Sequence, residues 1–324
     1  MLSGAFMGWS VGTNDASNVF GTAVGTRVVN FRTAIWLTAV FVVLGAIWVG
    51  QGVVEGLGDV AHSHAVRAPL HAFVVMLISA TVVTVMTIIK APVSTSQALV
   101  GALMGWGAAR GASNFAQITR FFSAWIISPI LTMFVCLILC VVAQRFIEAR
   151  VKGLAAYDMF IKVGYLVAGI FGAFTLGANN AGNAMGVYYR TGIFDGPVAV
   201  LNSLLPFEVT PLGFAALVGG VTLALGVLTY SKRVMLAVGE GIAQLSPLQG
   251  FLVVFSSSIT LLVFSRWGIS ISTSQAVIGA IMGASFSKGH RGLDFKVLGR
   301  IFVAWFGTPT VAGLLAFAVG RIFF

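Results

Sequence analysis

Nine stretches of 18 or more residues contain no Asp, Glu, Lys or Arg: 33–54, 68–89, 91–109, 121–144, 163–189, 209–231, 241–265, 267–287 and 301–320. A tenth, 1–26, is interrupted only by Asp15. A membrane-spanning helix needs about 20 consecutive, predominantly apolar residues. Ten candidate crossings therefore take up most of the chain and leave no room for a sizeable soluble domain. Only 9% of the residues are charged, against roughly 25% in a soluble domain. A soluble enzyme, a disordered chain and a disulfide scaffold are excluded. The expected fold is an all-α polytopic membrane protein.

The net charge of +10 raises the question of a nucleic-acid partner, and the placement of the basic residues answers it. If the ten runs cross in order from an N-terminus outside, 13 of the 19 Lys and Arg fall inside and 6 outside. That bias orients membrane proteins, so the basic excess reads as topology and no nucleic acid is expected. The first apolar stretch lacks a basic leading segment and a small-residue cleavage site, and no signal peptide is expected. Cys136 and Cys140 lie four apart in an apolar run and read as two small apolar side chains on one helix face.

The chain is a duplication. Residues 93–105 read VSTSQALVGALMG and residues 271–283 read ISTSQAVIGAIMG, with nine of thirteen identical. Upstream, Gly12-Thr13-Asn14-Asp15-Ala16-Ser17-Asn18 recurs as Gly177-Ala178-Asn179-Asn180-Ala181-Gly182-Asn183. Downstream, Ala124-Trp125-x-x-Ser128-Pro129 recurs as Ala304-Trp305-x-x-Thr308-Pro309. The order of the three blocks is the same in both halves. The expected organisation is a first transmembrane repeat over 1–145, a cytoplasmic linker over 146–162, and a second repeat over 163–324. Five runs in each half turn the second copy upside down, the inverted-repeat arrangement of many secondary transporters. About ten crossing or half-crossing segments, some of them broken helices, are expected.

The two Gly-x-Asn blocks place glycine, amides and one acid inside apolar spans. Unpaired polar groups are expensive in hydrocarbon, so the helix is expected to break there and free backbone carbonyls. Carbonyls, amide oxygens and the Asp15 carboxylate make a hard oxygen cage suited to Na⁺, or a proton site on Asp15. Asp15 is the only acid in any of the ten runs, and an ionisable residue within a membrane is a functional candidate. In the second pair, Ser94-Thr95-Ser96 follows Lys90-Ala91-Pro92, and Ser272-Thr273-Ser274 follows Trp267-Gly268. Ser and Thr at a helix start are cap signals, and a helix N-terminus offers free N–H groups and a positive dipole end. Two such ends facing each other would cradle a tetrahedral oxyanion without an arginine.

His62, His64 and His71 cluster after the second run, and His290 lies in a basic loop. They read as solvated loop residues rather than metal ligands. An intramembrane serine hydrolase would need a base beside its serine, and no His lies mid-run. No enzyme is expected. A passive anion channel differs from a coupled transporter in being unable to concentrate its substrate beyond that ion's own electrochemical equilibrium.

At these blocks the sequence resembles the inorganic phosphate transporter (PiT) family of secondary transporters, which carries a duplicated Gly-[Ala/Ser]-Asn-Asp-x-x-Asn signature and a duplicated Pro-x-Ser-Thr-[Thr/Ser] signature. Gly239-Glu240-Gly241-Ile242 through Leu245-Ser246-Pro247 to Gly250-Phe251 is similar to the family's approach to its second Ser-Thr block. The resemblance implies symport of inorganic phosphate with Na⁺ or H⁺ across the plasma membrane by alternating access, with no cofactor beyond the coupling ion. Carried over by position, Asn14, Asp15, Asn179 and Asn180 would hold the cation, with Na⁺ on Asp15. Ser94, Thr95, Ser96, Ser272, Thr273 and Ser274, with Asn18 and Asn183, would hold the anion. A homodimer is compatible with the resemblance. Three departures from it stand out: Asn180 stands where a second Asp is usual, Gln97 and Gln275 replace a frequent His, and Val254 stands near a frequent Glu. A branch of the family carries sulfate, and phosphate against sulfate and Na⁺ against H⁺ both stay open.

Overall fold

The computed structural model describes residues 1–88, 93–112, 114–238, 245–288 and 295–324. Lys90-Ala91-Pro92, Gly239-Glu240-Gly241-Ile242 and His290 lie outside the described residues. The described residues form helices and no strand. In chain order the first seven helices are α1 (Leu2–Asp15), α2 (Ser17–Gly25), α3 (Phe31–Trp48), α4 (Gly50–Ser63), α5 (Pro69–Ile88), α6 (Thr95–Ala109) and α7 (Phe115–Arg150). Then follow α8 (Leu154–Tyr189), α9 (Asp195–Leu204), α10 (Pro211–Val238), α11 (Pro247–Arg266), α12 (Thr273–Phe286) and α13 (Phe295–Phe323).

Seven described helices are long and apolar enough to cross a membrane, namely α3, α5, α7, α8, α10, α11 and α13. The other three of the ten charge-free runs are built from shorter pieces. One is divided at Ala16 into α1 and α2. In the other two, α6 has 15 residues and α12 has 14, which at 1.5 Å per residue reach roughly 22 Å of a ~30 Å hydrocarbon core. The remainder of α12's crossing is made by the non-helical residues 267–272, turned inward at Gly268 with φ +70. Gln249 Nε2 at the start of α11 donates to the Ala284 carbonyl at 2.7 Å, and Thr273 sits beside Ser257 and Ser258 halfway along α11. α12 thus returns antiparallel to α11, beginning mid-depth. The first copy repeats this: His71 at the start of α5 packs against Trp106 near the end of α6, ring centroids 5.3 Å apart.

The inversion is visible in the packing. α1–α2 runs antiparallel to the end of α8, with Ser3 Oγ 2.7 Å from the Tyr188 hydroxyl and the Phe20 ring against Gly169. Each half-helix packs on the long helix of the other repeat. Gly101 and Gly105 of α6 lie against the carbonyls of Pro309 and Gly313, and Gly279 and Gly283 of α12 lie against those of Pro129 and Met133. A Cβ at any of the four would run into main-chain oxygen, so only glycine allows this approach, and the two copies interlock.

Segments that the charge count assigned to one side of the membrane do meet. Arg190 pairs with Asp59 at 2.7 Å and Glu55 at 3.5 Å, Arg120 Nη2 donates to the Trp267 carbonyl at 2.5 Å, and Arg110 reaches Phe324. On the opposite side, Lys232 lies over the Phe31 ring at 5.7 Å. Apolar side chains such as Trp36, Ile126 and Phe306 face outward, 62%, 65% and 72% exposed, where lipid chains would cover them.

Two local expectations are corrected. The stretch holding His62 and His64 is not a solvated loop: His62 lies in α4 and His64 caps it, fully buried, with Nδ1 2.8 Å from the Val60 carbonyl. α4 is short and rich in glycine and acid, but it lies along α8, where Gly58 sits against Gly186. Second, α8 does not break at its Asn-Asn block but continues through Gly177–Asn183 as one 36-residue helix. In the first copy Ala16 keeps right-handed helical angles, φ −57 and ψ −28, so the chain barely departs from its path. The breaks fall instead at Val49 and before the two Ser-Thr blocks. The segment 146–162 is helical except at residues 151–153.

Candidate anion and cation site

The two half-helices begin at the middle of the structure. Ser94 and Ser272 are their caps, accepting from the amides of Gln97 at 3.4 Å and Gln275 at 3.3 Å. Each cap hydroxyl has the next serine beside it, Ser96 at 3.5 Å and Ser274 at 3.0 Å. Ser274 Oγ donates to the Val93 carbonyl at 3.4 Å, so the two Ser-Thr blocks, distant in sequence, touch. Ser94, Thr95, Ser96, Ser272 and Thr273 are buried and Ser274 is half-buried. Two positive helix ends and the hydroxyls of Ser94, Ser96, Ser272 and Ser274 lie together, an arrangement suited to an anion.

The Asn-Asp blocks surround the beginning of α12. Thr273 Oγ1 donates to Asp15 Oδ2 at 2.8 Å, and Asn14 Nδ2 donates to Asp15 Oδ1 at 2.8 Å. Asp15 is 1% exposed and has no basic partner among the described salt bridges. From the second copy, Asn179 binds the backbone of Ile271 twice: its Nδ2 donates to the carbonyl at 2.8 Å and its Oδ1 accepts from the amide at 3.0 Å. Asn180 Nδ2 turns back to the Leu176 carbonyl at 3.1 Å. Asn183 Nδ2 donates to Asn180 Oδ1 at 2.7 Å, while its own Oδ1 is buried without a partner. These bonds account for the unbroken α8: apart from Asn183 Oδ1, the side-chain amide groups of its block are paired within the protein, which removes most of the hydrocarbon penalty.

Asn18 and Thr273 share a small pocket with Ser257 and Ser258. These two serines escaped the sequence reading, although Ser256-Ser257-Ser258 in the middle of an apolar run was the available signal. Their hydroxyls currently donate to the Val254 carbonyl at 2.9 and 2.6 Å. The structure thus brings Asp15, Asn14, Asn18, Asn179 and the Thr273 end of α12 together. Asn180 and Asn183 bond to each other within α8. No group of three or more His, Cys, Asp or Glu that could hold a metal occurs among the described residues.

Comparison with known proteins accords with this geometry. The Phosphate transporter family matches residues 11–161 and again 148–316. A protein of Thermococcus kodakarensis, provisionally named a phosphate permease, is 26% identical over 98% of this chain and 95% of its own length. The chloroplastic inorganic phosphate transporter 2-1 of Arabidopsis thaliana is 23% identical over 100% of this chain and 71% of its own. A solved structure described as the sodium-dependent phosphate transporter shares the fold, with a TM-score of 0.80 at 20% identity over 99% of this chain and 97% of that one. Two family matches that together take in both copies of every repeated block, on a structure of membrane-length helices, fix the class: the chain belongs to the phosphate transporter family, as a multi-pass membrane transporter and not an enzyme.

Proposed function

We propose that the chain is a Na⁺-coupled symporter of inorganic phosphate in the cell membrane, working by alternating access around the meeting point of α6 and α12. The observation that carries this reading is the bond from Thr273 to Asp15, which joins the acid of the first Asn-Asp block to the helix end that would hold the anion. A bare carboxylate there opposes phosphate binding. Two negative charges about 6 Å apart repel by roughly 3 kcal/mol at an effective dielectric of 20. A cation on Asp15, helped by the Asn14 and Asn18 oxygens, removes that repulsion, so phosphate and cation bind best together. The Na⁺ dependence stated for the structurally similar transporter favours Na⁺ over H⁺ as the ion.

In this reading the hydroxyls of Ser94, Thr95, Ser96, Ser272 and Ser274 and the free amides of the two helix ends receive the phosphate oxygens. Asn179 fixes the backbone of the α12 lead-in. Asn180 and Asn183 supply an uncharged second copy, with Asn183 Oδ1 available as an acceptor. The two repeats, 1–145 and 163–324, would rock against each other about this site, with both termini outside as the distribution of Lys and Arg favours.

Uptake of labelled phosphate and labelled sulfate into proteoliposomes, under an imposed Na⁺ gradient or pH gradient, tests the proposal. Phosphate accumulation driven by Na⁺ alone is expected. Accumulation of sulfate in preference, drive by the pH gradient alone, or equilibration without accumulation would each overturn it, the last by indicating a channel.

A further inference from the structure

Polar residues recur at every fourth position through α1 and α2: Ser10, Asn14, Asn18, Thr22 and Thr26. Residues four apart share one face of a helix, so the five form a stripe. Their counterparts in the second copy are Thr175, Asn179, Asn183, Val187 and Thr191, along and just beyond α8.

The two stripes have opposite surroundings. The second is sealed, with Thr175, Asn179, Asn183 and Val187 each 0% exposed. Gly182 and Gly186 beside it press against Val53 and Leu57 of α4, and the Tyr188 hydroxyl lies 2.7 Å from Ser3 Oγ. The first is open: Ser10 is buried, Asn14, Asn18 and Thr22 are half-buried, and Thr26 is exposed. Thr26 Oγ1 donates to the Thr22 carbonyl at 2.8 Å. The Thr22 hydroxyl and the Asn18 amide have no hydrogen-bond partner among the described residues, yet neither is among the buried polar atoms.

Unpaired polar groups are expensive in hydrocarbon, and polar residues within a membrane face the bundle interior or a water-filled space. This stripe faces the interior. Ser10 Oγ lies 2.8 Å from Thr84 Oγ1 of α5, Asn18 shares its pocket with Thr273, Ser257 and Ser258, and the Thr22 methyl lies against Gly250 of α11. Water is therefore what meets Asn18 and Thr22. Because the repeat is inverted, the two stripes leave the site in opposite directions. The first ends at Thr26, on the side of Arg27, Arg32 and Lys232, and the second ends at Thr191, on the side of Arg190 and its pair with Asp59.

We infer that the stripe on α1 and α2 lines the water-filled route between the site and the face that carries Arg27 and Lys232, and that Thr22 is a further residue of the substrate path. Its hydroxyl replaces part of the hydration shell of the passing phosphate and cation. This inference rests on the transport reading. The matching route along α8 is shut by α4, and Val187 stands there where the first copy has Thr22.

Thiol accessibility tests the route on the full-length chain in lipid nanodiscs, both faces of which meet the medium. Cys136→Ala/Cys140→Ala removes the native thiols. In that background Thr22→Cys should react with sulfonatoethyl methanethiosulfonate, an anion excluded from lipid, at least about tenfold faster than Val187→Cys, since a sealed thiol is inert. Ile126→Cys, at a lipid-facing position, should react with uncharged N-phenylmaleimide and not with the anion. A Thr22→Cys thiol reached only by the maleimide, or equal anion reactivity at Thr22→Cys and Val187→Cys, would overturn the proposal. With the native cysteines in place, Thr22→Val should lower the maximal rate of phosphate uptake about fivefold without changing the half-saturating phosphate concentration, and Thr22→Ser should restore it. A full rate in Thr22→Val, or a loss shared by Thr22→Ser, would overturn the role of Thr22. Fast anion labelling in a protein that accumulates no phosphate would leave the route standing and overturn the transport reading instead.

Discussion

The beginnings of α6 and α12 have nearly the same sequence and different surroundings. α12 is held by the motif helices of both copies: Asp15 takes the Thr273 hydroxyl, and Asn179 takes both backbone groups of Ile271. At the corresponding place in the first copy, Val93 receives the hydroxyl of Ser274 among the described residues. The residues that symmetry would bring there are otherwise engaged, Asn14 with Asp15 and Asn180 with Leu176. One substitution, Asp in the first copy against Asn in the second, accounts for the split. A carboxylate only accepts hydrogen bonds and so recruits donors, Thr273 and Asn14. An amide both donates and accepts, and can be satisfied by its own helix. The difference teaches that a duplicated scaffold carries a carboxylate in one copy of the block and an amide in the other, and that the carboxylate is tied to α12, which is where the proposed mechanism puts the cation.

The largest effect is expected where the comparison is broken outright. Asp15→Asn makes the two blocks alike in charge, and Na⁺-driven phosphate uptake should fall about 100-fold, equivalent to ~2.7 kcal/mol, with the protein still inserted. Asn180→Asp restores symmetry the other way. It should preserve uptake and steepen its dependence on Na⁺, read as a higher Hill coefficient in proteoliposomes.

A smaller effect is expected from the bond that distinguishes the two half-helices. Thr273→Val removes a charge-assisted hydrogen bond and should raise the Na⁺ concentration for half-maximal uptake about tenfold. Thr95→Val, at the equivalent position beside the neutral block, should change it less than about twofold. A still more local difference concerns stability. Asn179→Ala leaves the buried N–H and carbonyl of Ile271 unpaired and should cost roughly 2–4 kcal/mol, measured by thermal unfolding in detergent. Asn14→Ala removes one side-chain contact and should cost less than about 1.5 kcal/mol in the same assay.

Much of the architecture was legible in the residues because a bilayer penalises charge so heavily. The charge-free runs contain the apolar cores of all seven membrane-length helices among the described residues, and the repeated blocks mark half-helices that pack in matching fashion on α13 and α7. The Ser-Thr caps were legible for the same reason, since Ser94 and Ser272 carry a local signal read within three residues. What was not legible depended on distant partners. The Asn179-Asn180 block looked like a helix break because the Ile271 backbone that satisfies Asn179 lies 92 residues away. α4 looked like a loop because its glycines make poor helix on their own, and only the surface of α8 shows why they are small. His64 looked solvated because its charge-rich neighbours do not reveal that it turns under the helix end. The placement of Gln97 and Gln275 on one cavity was equally hidden, since that cavity forms only where α6 and α12 pack on α13 and α7.

Coupling at Asp15 is tested most directly by equilibrium binding, without transport. Labelled phosphate is titrated onto purified protein with and without Na⁺, for wild type and Asp15→Asn. Cation and anion binding must raise each other's affinity by the same factor if they are linked. Wild type is predicted to bind phosphate at least about tenfold tighter in Na⁺, and Asp15→Asn to bind it equally well with or without Na⁺. The same Na⁺ enhancement in both proteins would contradict the assignment of coupling to Asp15.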